Sequence, residues 1–382
     1  MLQSKSKSVF VSRRQILLIF FAFLSILLIS PSKTFVAPTT SNNENNLEEE
    51  NKKDKLESIS ITADELRLSG EIYPIWYNLT MKIFVPGFGT QIYDENNLTF
   101  NADLLIKFRV EQSTCRIELN ALKLTFDYYN LEMYQLDRVD QRYQNMSKSV
   151  PKVFFELDGT LEKGEHYIIR IPYTGPIATK LAGLYLTTYT TLAGEHKFAA
   201  VTQMVPTGAR RMVPCFDEPH FKAIYRLNII HPFGSRVVSN SKEIRDGVPT
   251  DNNEWVWTDF DETPPMSSFL LALVVSDFEF VEGYTKRGIR FRIWARKDII
   301  NFTSYTLEAG IRILEFYEDY YGIKFPLPKQ DMVAFPDSEA GGTGNWGVVT
   351  FREKYLLYSP ELYTPQQKMD ITSIIAHELA HQ

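Results

Sequence analysis

The sequence predicts a mainly β chain whose C-terminal part turns α+β. Three observations carry this. Apolar and polar residues alternate from Ile72 to about Val281, the two-residue period of half-buried strands. After Ala295 the period lengthens to that of an amphipathic helix. Two of the six histidines, His377 and His381, stand four residues apart at the end of the chain.

Length and composition set the frame. At ~150 residues per domain, 382 residues argue for two to three domains. A hydrophobic content of 44% with 13% aromatics is enough to build large cores and excludes overall disorder. A net charge of -6 gives no global attraction to nucleic acid, so none is expected as a partner. Cys115 and Cys215 are the two cysteines, too few for a disulfide scaffold or a four-thiolate metal site. Whether they pair is left open.

Residues 1–43 lack Asp and Glu, and Lys5, Lys7, Arg13 and Arg14 precede an apolar run from Ile16 to Ile29. As a helix that run would span ~21 Å, short of the ~30 Å hydrocarbon core. A cleaved signal peptide fits the basic start, but no Ala-x-Ala site follows closely. An uncleaved signal anchor fits Arg13-Arg14 on the cytoplasmic side and is preferred, with secretion as the alternative. A buried helix is the bland reading. The expected order is a cytoplasmic tail over 1–15, an anchor over 16–30 and a solvated stalk over 31–62, rich in Asn, Glu and Lys. Four Asn-x-Ser/Thr sequons follow, at Asn78, Asn97, Asn145 and Asn301, fitting a single-pass type II glycoprotein with a luminal or extracellular ectodomain.

A β domain is expected over 63–283, sandwich- or saddle-like. Tyr77-Leu79-Met81-Ile83 and Leu104-Ile106-Phe108-Val110 alternate with polar neighbours, while Arg226–His231 and Phe269–Val275 read as more deeply buried strands. Pro86-Gly87, Asp158-Gly159, Lys163-Gly164, Asp246-Gly247 and Pro264-Pro265 mark turns. Over 284–382, Leu307, Ile311, Leu314 and Tyr317 predict a helix stopped by Gly322. Ala340–Asn345 is a loop of small residues and Val348–Phe351 a short strand. Thr364-Pro365-Gln366-Gln367 has the cap, Pro and N3 Gln of a helix start.

That last helix carries His377-Glu378-Leu379-Ala380-His381. Residues four apart lie above one another, so both imidazoles can reach one cation, and zinc suits neutral imidazole. Glu378 lies where a carboxylate could activate a water at the metal. The competing reading is two surface histidines on a helix whose apolar face is Ile371, Ile374, Ile375 and Leu379. His166, His196, His220 and His231 are scattered in β segments and read as structural. Asp217-Glu218-Pro219 could be a carboxylate pair, but reads as scaffold, and Cys215 as a packed thiol.

These blocks resemble the aminopeptidase N-like family of zinc metallopeptidases (the gluzincin aminopeptidases) from about Leu66 onward. Leu68, Ile72, Pro74 and Tyr77-Asn78-Leu79-Thr80 resemble its first strand. Thr202-Gln203 through Cys215-Phe216-Asp217-Glu218-Pro219 is similar to its β-domain signature. Pro264–Ser267, Val275–Phe278 and Tyr320–Lys329 also look familial. The resemblance implies a β-saddle domain, then the start of a thermolysin-like α+β zinc-peptidase domain, incomplete in this chain. It implies removal of single residues from peptide N-termini, with zinc on His377 and His381 and Glu378 as general base and acid. Gln203, Gly341, Gly342, Thr343, Gly344 and Asn345 would bind the peptide substrate, and a homodimer is compatible.

Three departures temper this. The family's third zinc ligand, a glutamate roughly eighteen residues after the second histidine, and its tyrosine fall beyond Gln382, so the site as given is expected to be incomplete. The family's Gly-Ala-Met-Glu-Asn is here Gly341-Gly342-Thr343-Gly344-Asn345, placing Gly344 where the amine-binding glutamate stands. Val205 stands where most relatives carry Gln or Glu. Glu339 is a distant candidate to replace the lost carboxylate, and a flexible turn is the bland reading of the glycines. Three functions follow: a membrane-anchored zinc aminopeptidase, a catalytically silent ectodomain that binds peptides or proteins, or a metallopeptidase of altered specificity.

Overall fold

The computed structural model describes residues 62–134, 145–146, 150–336 and 341–382. The expected tail, anchor and all but the last residue of the stalk lie outside these, as do Glu339, Ala340 and the side chain of Asn145. Among the described residues no helix is long and apolar enough to cross a membrane.

The chain enters through a short helix, α1 (Ala63–Leu66), capped by Thr62 and Glu65 in a reciprocal box. The alternation that begins at Ile72 then forms one strand from Ile72 to Phe84, with Tyr77, Leu79, Met81 and Ile83 buried. It is the middle of a large sheet. On one side it pairs antiparallel with Thr99–Val110, which pairs in turn with His166–Pro176. On the other it runs parallel to Ile224–Pro232, followed by Trp255–Phe260 and Glu243–Pro249 at the edge. Tyr77 stacks on Tyr225 across the parallel pair, with ring centroids 4.7 Å apart. Thr125–Phe126 and Glu132–Tyr134 add to the far side of His166–Pro176. Thr114–Asn120, Lys152–Leu161 and Asn145–Met146 make a three-stranded sheet. A four-stranded sheet runs Arg236–Ser239, Leu273–Ser276, His196–Gln203, Gly183–Thr190.

The C-terminal part builds its own five-stranded sheet, ordered Glu279–Tyr284, Arg290–Ala295, Lys329–Phe335, Val348–Arg352, Gly342–Asn345. The boundary expected at 283/284 falls inside its first strand. Helix α2 (Ser304–Tyr321) stops at Gly322, which adopts φ +67°. Helix α3 (Pro365–Ala380) packs beside it. The described residues from Thr62 to Gln382 form one compact unit. The reason is a shared seam: Tyr185, Val201 and Val274 of the four-stranded sheet bury against Trp294, Val333, Phe335 and Val348 of the five-stranded one.

Ion pairs reinforce the seam. Asp331 and Lys329 are fully buried, 2.8 Å apart. Arg292 grips Asp331 at 2.6 and 2.9 Å and reaches Glu243 of the β domain at 2.6 Å. Burial would push the Asp331 carboxyl up, but Lys329 and Arg292 outweigh it and hold it well below the carboxylate range.

Several expectations change in the structure. Phe269–Val275 is not one strand: Ser268–Leu270 is a 3-10 turn, because Ser268 is drawn to Asp217 Oδ1 at 2.6 Å, and the strand starts at Leu273. His220 lies in a loop, its ring 3.9 Å from that of Phe221, rather than in a β segment. Asp217 is scaffold, paired with Arg210 at 2.8 Å, and Glu218 accepts from the Leu68 amide. Cys215 is a buried free thiol and Cys115 an exposed one.

Two stability predictions follow from these buried groups. Asp331→Asn leaves buried Lys329 without its ion-pair partner and Arg292 with Glu243 alone, and should cost about 3–5 kcal/mol in denaturant unfolding. An unchanged midpoint would show the pair to be dispensable. His231 is buried between Ser235 and Thr258, and burial lowers its pKa to about 4. Folded protein therefore binds fewer protons than unfolded chain between pH 6.5 and 4, so this contribution is whole above 6.5 and lost on acidification. His231→Gln should flatten the loss of stability over that window by about 3 kcal/mol, read from unfolding free energies at several pH values.

Candidate metal centre

Helix α3 begins as its sequence requires. Thr364 accepts from the Gln367 amide, the Gln367 side chain accepts from the Thr364 amide, and Pro365 takes the first turn. Ile371, Ile375 and Leu379, four apart, sink into the C-terminal core. Tyr305 and Tyr317 of α2 hold the helix in place, bonding Thr372 Oγ1 at 2.6 Å and the Ala376 carbonyl at 2.9 Å. With that face buried, His377 and His381 are left exposed.

Their Nε2 atoms stand 3.1 Å apart. Two nitrogens ~2.05 Å from one ion at a tetrahedral angle stand ~3.3 Å apart, so the pair converges as zinc ligands would. Partial desolvation against the helix, then the neighbouring His381, lowers the pKa of His377, which favours the neutral form that ligates. Among the described residues no group of three or more His, Cys, Asp or Glu gathers around them. The residues present therefore fit two of the protein ligands of such an ion.

Glu378 points the other way from solvent, 7% exposed, and burial pushes its carboxyl up to about 7. Its neighbour is the glycine segment. Gly342–Asn345 is a strand, not the flexible turn of the bland reading, because it pairs antiparallel with Val348–Phe351. It closes the five-stranded sheet, so among the described residues its other edge has no strand partner. A Cβ on Gly342 would stand 2.5 Å from Glu378 Oε1. One on Gly344 would stand 3.0 Å from Glu378 Oε2 and 3.5 Å from His381 Cβ. The strand can lie this close to the helix only because it lacks those side chains. Thr343, between them, faces away by the strand's two-residue period.

The structure thus brings together His377, Glu378, His381, Gly342 and Gly344, with Gly341 beside them bonding the Arg352 amide and Asn345 buried at the strand's end. Gln203 ends its strand opposite Gly183 in the β domain. Val205 follows in an exposed turn at a cis bond to Pro206. Of the sequons, Asn97 and Asn301 are exposed, whereas Asn78 is half-buried with its side-chain oxygen held by Asn228 at 2.7 Å. A cleft of about 720 Å³ around Lys242, Arg287 and Phe325 shares no residue with the metal helix or the glycine strand. Sequence reasoning missed Gln382 and Asn240. Both act by bonding the backbone of the Asn345–Gly347 turn. No local pattern marks such a role.

A convergent HExxH pair with a buried carboxylate beside an edge strand defines a metallopeptidase class of site. Comparison with known proteins carries this further. Residues 73–270 match the Peptidase M1 N-terminal domain and residues 305–382 the Peptidase family M1 domain. The chain is 43% identical over 324 residues to aminopeptidase N of Haemonchus contortus, covering 85% of this chain and 33% of that protein. It is 33% identical over 333 residues to endoplasmic reticulum aminopeptidase 1 of Homo sapiens, covering 84% and 33%. To aminopeptidase N of Bos taurus it is 34% identical over 325 residues, covering 83% and 33%. The chain belongs to peptidase family M1 and is aminopeptidase N-like. It spans about a third of the length of these relatives.

The half-site makes a metal prediction. Zinc titrated into this chain at pH 7.5 should bind at one site, and His377→Ala or His381→Ala should weaken it at least tenfold. Neutral imidazoles being required, the affinity should fall as pH drops below about 6.5. Calorimetry that finds equal affinity in wild type and both variants would place zinc elsewhere.

Proposed function

We propose that this chain is the β-rich and metal-helix portion of a zinc aminopeptidase that releases N-terminal residues from peptides. The observation that carries the reading is the convergence of His377 and His381 beside buried Glu378, next to a strand that ends its sheet among the described residues. The names of its M1 relatives support it. The domains are taken as 63–283 for the β-saddle and 284–382 for the start of the catalytic part, with the strand Glu279–Tyr284 crossing that boundary, and relatives about three times as long would carry the further parts of such a unit. Anchoring by 16–30, a stalk, and a luminal or extracellular ectodomain with glycans at Asn97 and Asn301 complete the proposal. Protease protection of microsomes with deglycosylation checks that arm, and an unglycosylated cytosolic protein would refute it.

Each residue has a task. His377 and His381 would hold the ion, which would supply Lewis-acid polarisation of the scissile carbonyl. Glu378, with its carboxyl held near neutrality, passes a proton between water and the leaving amine. Gly342 to Asn345 offer backbone amides and carbonyls, so a peptide lies along the strand as an added one, with its N-terminus toward the metal.

Gly344 favours a second reading, a silent ectodomain that binds peptide without cutting it. No carboxylate projects from that position to meet a free ammonium, and an ammonium there would be desolvated with few acceptors. Initial rates on matched free and N-acetylated peptides separate the two. If the longer protein is an enzyme, Glu378→Gln should lower its rate ~10²–10⁴-fold, and wild type should distinguish the two peptides poorly. Gly344→Glu should raise the preference for a free amine by roughly ten- to a hundred-fold, after Glu378 gives way to the new Cβ. Val205→Glu should add less than its own share. Peptide binding with no turnover would establish the silent reading. Strong wild-type selectivity for the free amine would mean that another carboxylate has taken the role.

A further inference from the structure

We infer that Gln382 is a positioning residue, whose carboxamide fixes the glycine edge strand against the metal helix. Both ends of the amide are used in the correct sense. Oε1 accepts from the Gly347 amide at 2.8 Å, and Nε2 donates to the Asn345 carbonyl at 3.1 Å. Asn345 is the last residue of the edge strand and Gly347 the residue before its partner strand begins. One side chain therefore spans the hairpin turn.

The root of that side chain is the metal site itself. Gln382 follows His381, and its amide bonds the Leu379 carbonyl at 3.2 Å, while that of His381 bonds Glu378 at 3.3 Å. The final turn that carries the second imidazole thus carries the clamp as well. The other holds on the turn come from elsewhere in the fold. Asn240 of the β domain donates to the Trp346 carbonyl at 2.7 Å, and Lys329 to that of Gly347 at 3.0 Å. Gly347 has φ +77°, and a Cβ there would meet the Asn240 carbonyl at 2.5 Å, so the turn is pressed close to the β domain. Those contacts tie the hairpin to the seam. Gln382 ties it to the ligand helix.

The turn has reason to need the clamp. Among the described residues, Asn345 Nδ2 and Trp346 Nε1 are buried donors without partners, and each such group costs free energy that the turn's other bonds must offset. A bond worth little on a surface then decides where the turn rests. Its position sets the distance from the strand's backbone groups to His381, and on the peptidase reading above that is the distance from bound peptide to metal.

The test uses the full-length protein with Gln382→Ala and Gln382→Glu. Glutamate keeps an acceptor for the Gly347 amide but sets a carboxylate oxygen against the Asn345 carbonyl, so it should rescue only in part. Hydrogen exchange by mass spectrometry over residues 342–348 should quicken at least tenfold in Gln382→Ala and less in Gln382→Glu. Zinc affinity should stay within twofold, since the imidazoles keep their helix. KM for a free-amine peptide should rise about tenfold with kcat within twofold, a split that simple loss of folded protein would not give. Unchanged exchange and unchanged KM in folded Gln382→Ala would overturn the inference, as would a Glu variant equal to wild type. If wild type turns over no peptide, the peptidase reading falls, while exchange at the hairpin still decides the clamp.

Discussion

Asp331 meets Lys329, Arg292 and Trp294 in a space from which solvent is shut out, and the rest of the chain is arranged around that contact. A buried carboxylate is tolerable only when paired and hydrogen-bonded, and here both conditions hold. The partners do not come from one layer. Arg292 extends the network to Glu243 of the β domain, and Lys329 spends a further bond on the Ser239 carbonyl. The cluster therefore works as a joint as well as a source of stability. It makes the relative placement of the two sheets a matter of charge geometry, where apolar packing across the seam would tolerate sliding.

The joint reaches the metal centre through the hairpin. Lys329 holds the Gly347 carbonyl, so the turn that follows the glycine strand is fixed by the group that neutralises Asp331. The strand before it can then approach α3 until the Glu378 carboxylate lies where a side chain would stand on Gly342. Glycine here is a requirement of distance, since both φ values are ordinary and no left-handed turn is involved. Filling either position moves Glu378. That couples the acid–base group to the strand that would hold substrate, and gives a physical meaning to the departure from the family's pattern at Gly344.

Much of this is legible in the sequence. The start of α3 follows from Thr364, Pro365 and Gln367, its buried face from isoleucines four apart, and the end of α2 from Gly322, because caps and faces depend on residues within a few positions. The convergence of His377 and His381 needs nothing but helical spacing. The first long strand follows from two-residue alternation. Where local signals were thin, the reading slipped. Phe269 and Leu270 look like strand until Ser268, bonded to Asp217 fifty-one residues earlier, opens a turn there. Three glycines in five residues look like a loop until Val348–Phe351 supplies the ladder.

What the sequence by itself determined, then, are the caps and buried face of α3, the end of α2, the first long strand and the metal pair, for these arise from residues only a few positions apart. Tertiary structure decided which strands are neighbours, as in the parallel pairing of Ile72–Phe84 with Ile224–Pro232, about 150 residues apart in the chain. It also decided that Gly342–Asn345 is an edge, that Glu378 is buried against it, and that Gln382, Asn240 and Lys329 share one turn. The physical reason is the same in each case. A hydrogen bond or an ion pair between residues distant in sequence leaves no periodicity behind, so its partner exists only once the chain has folded.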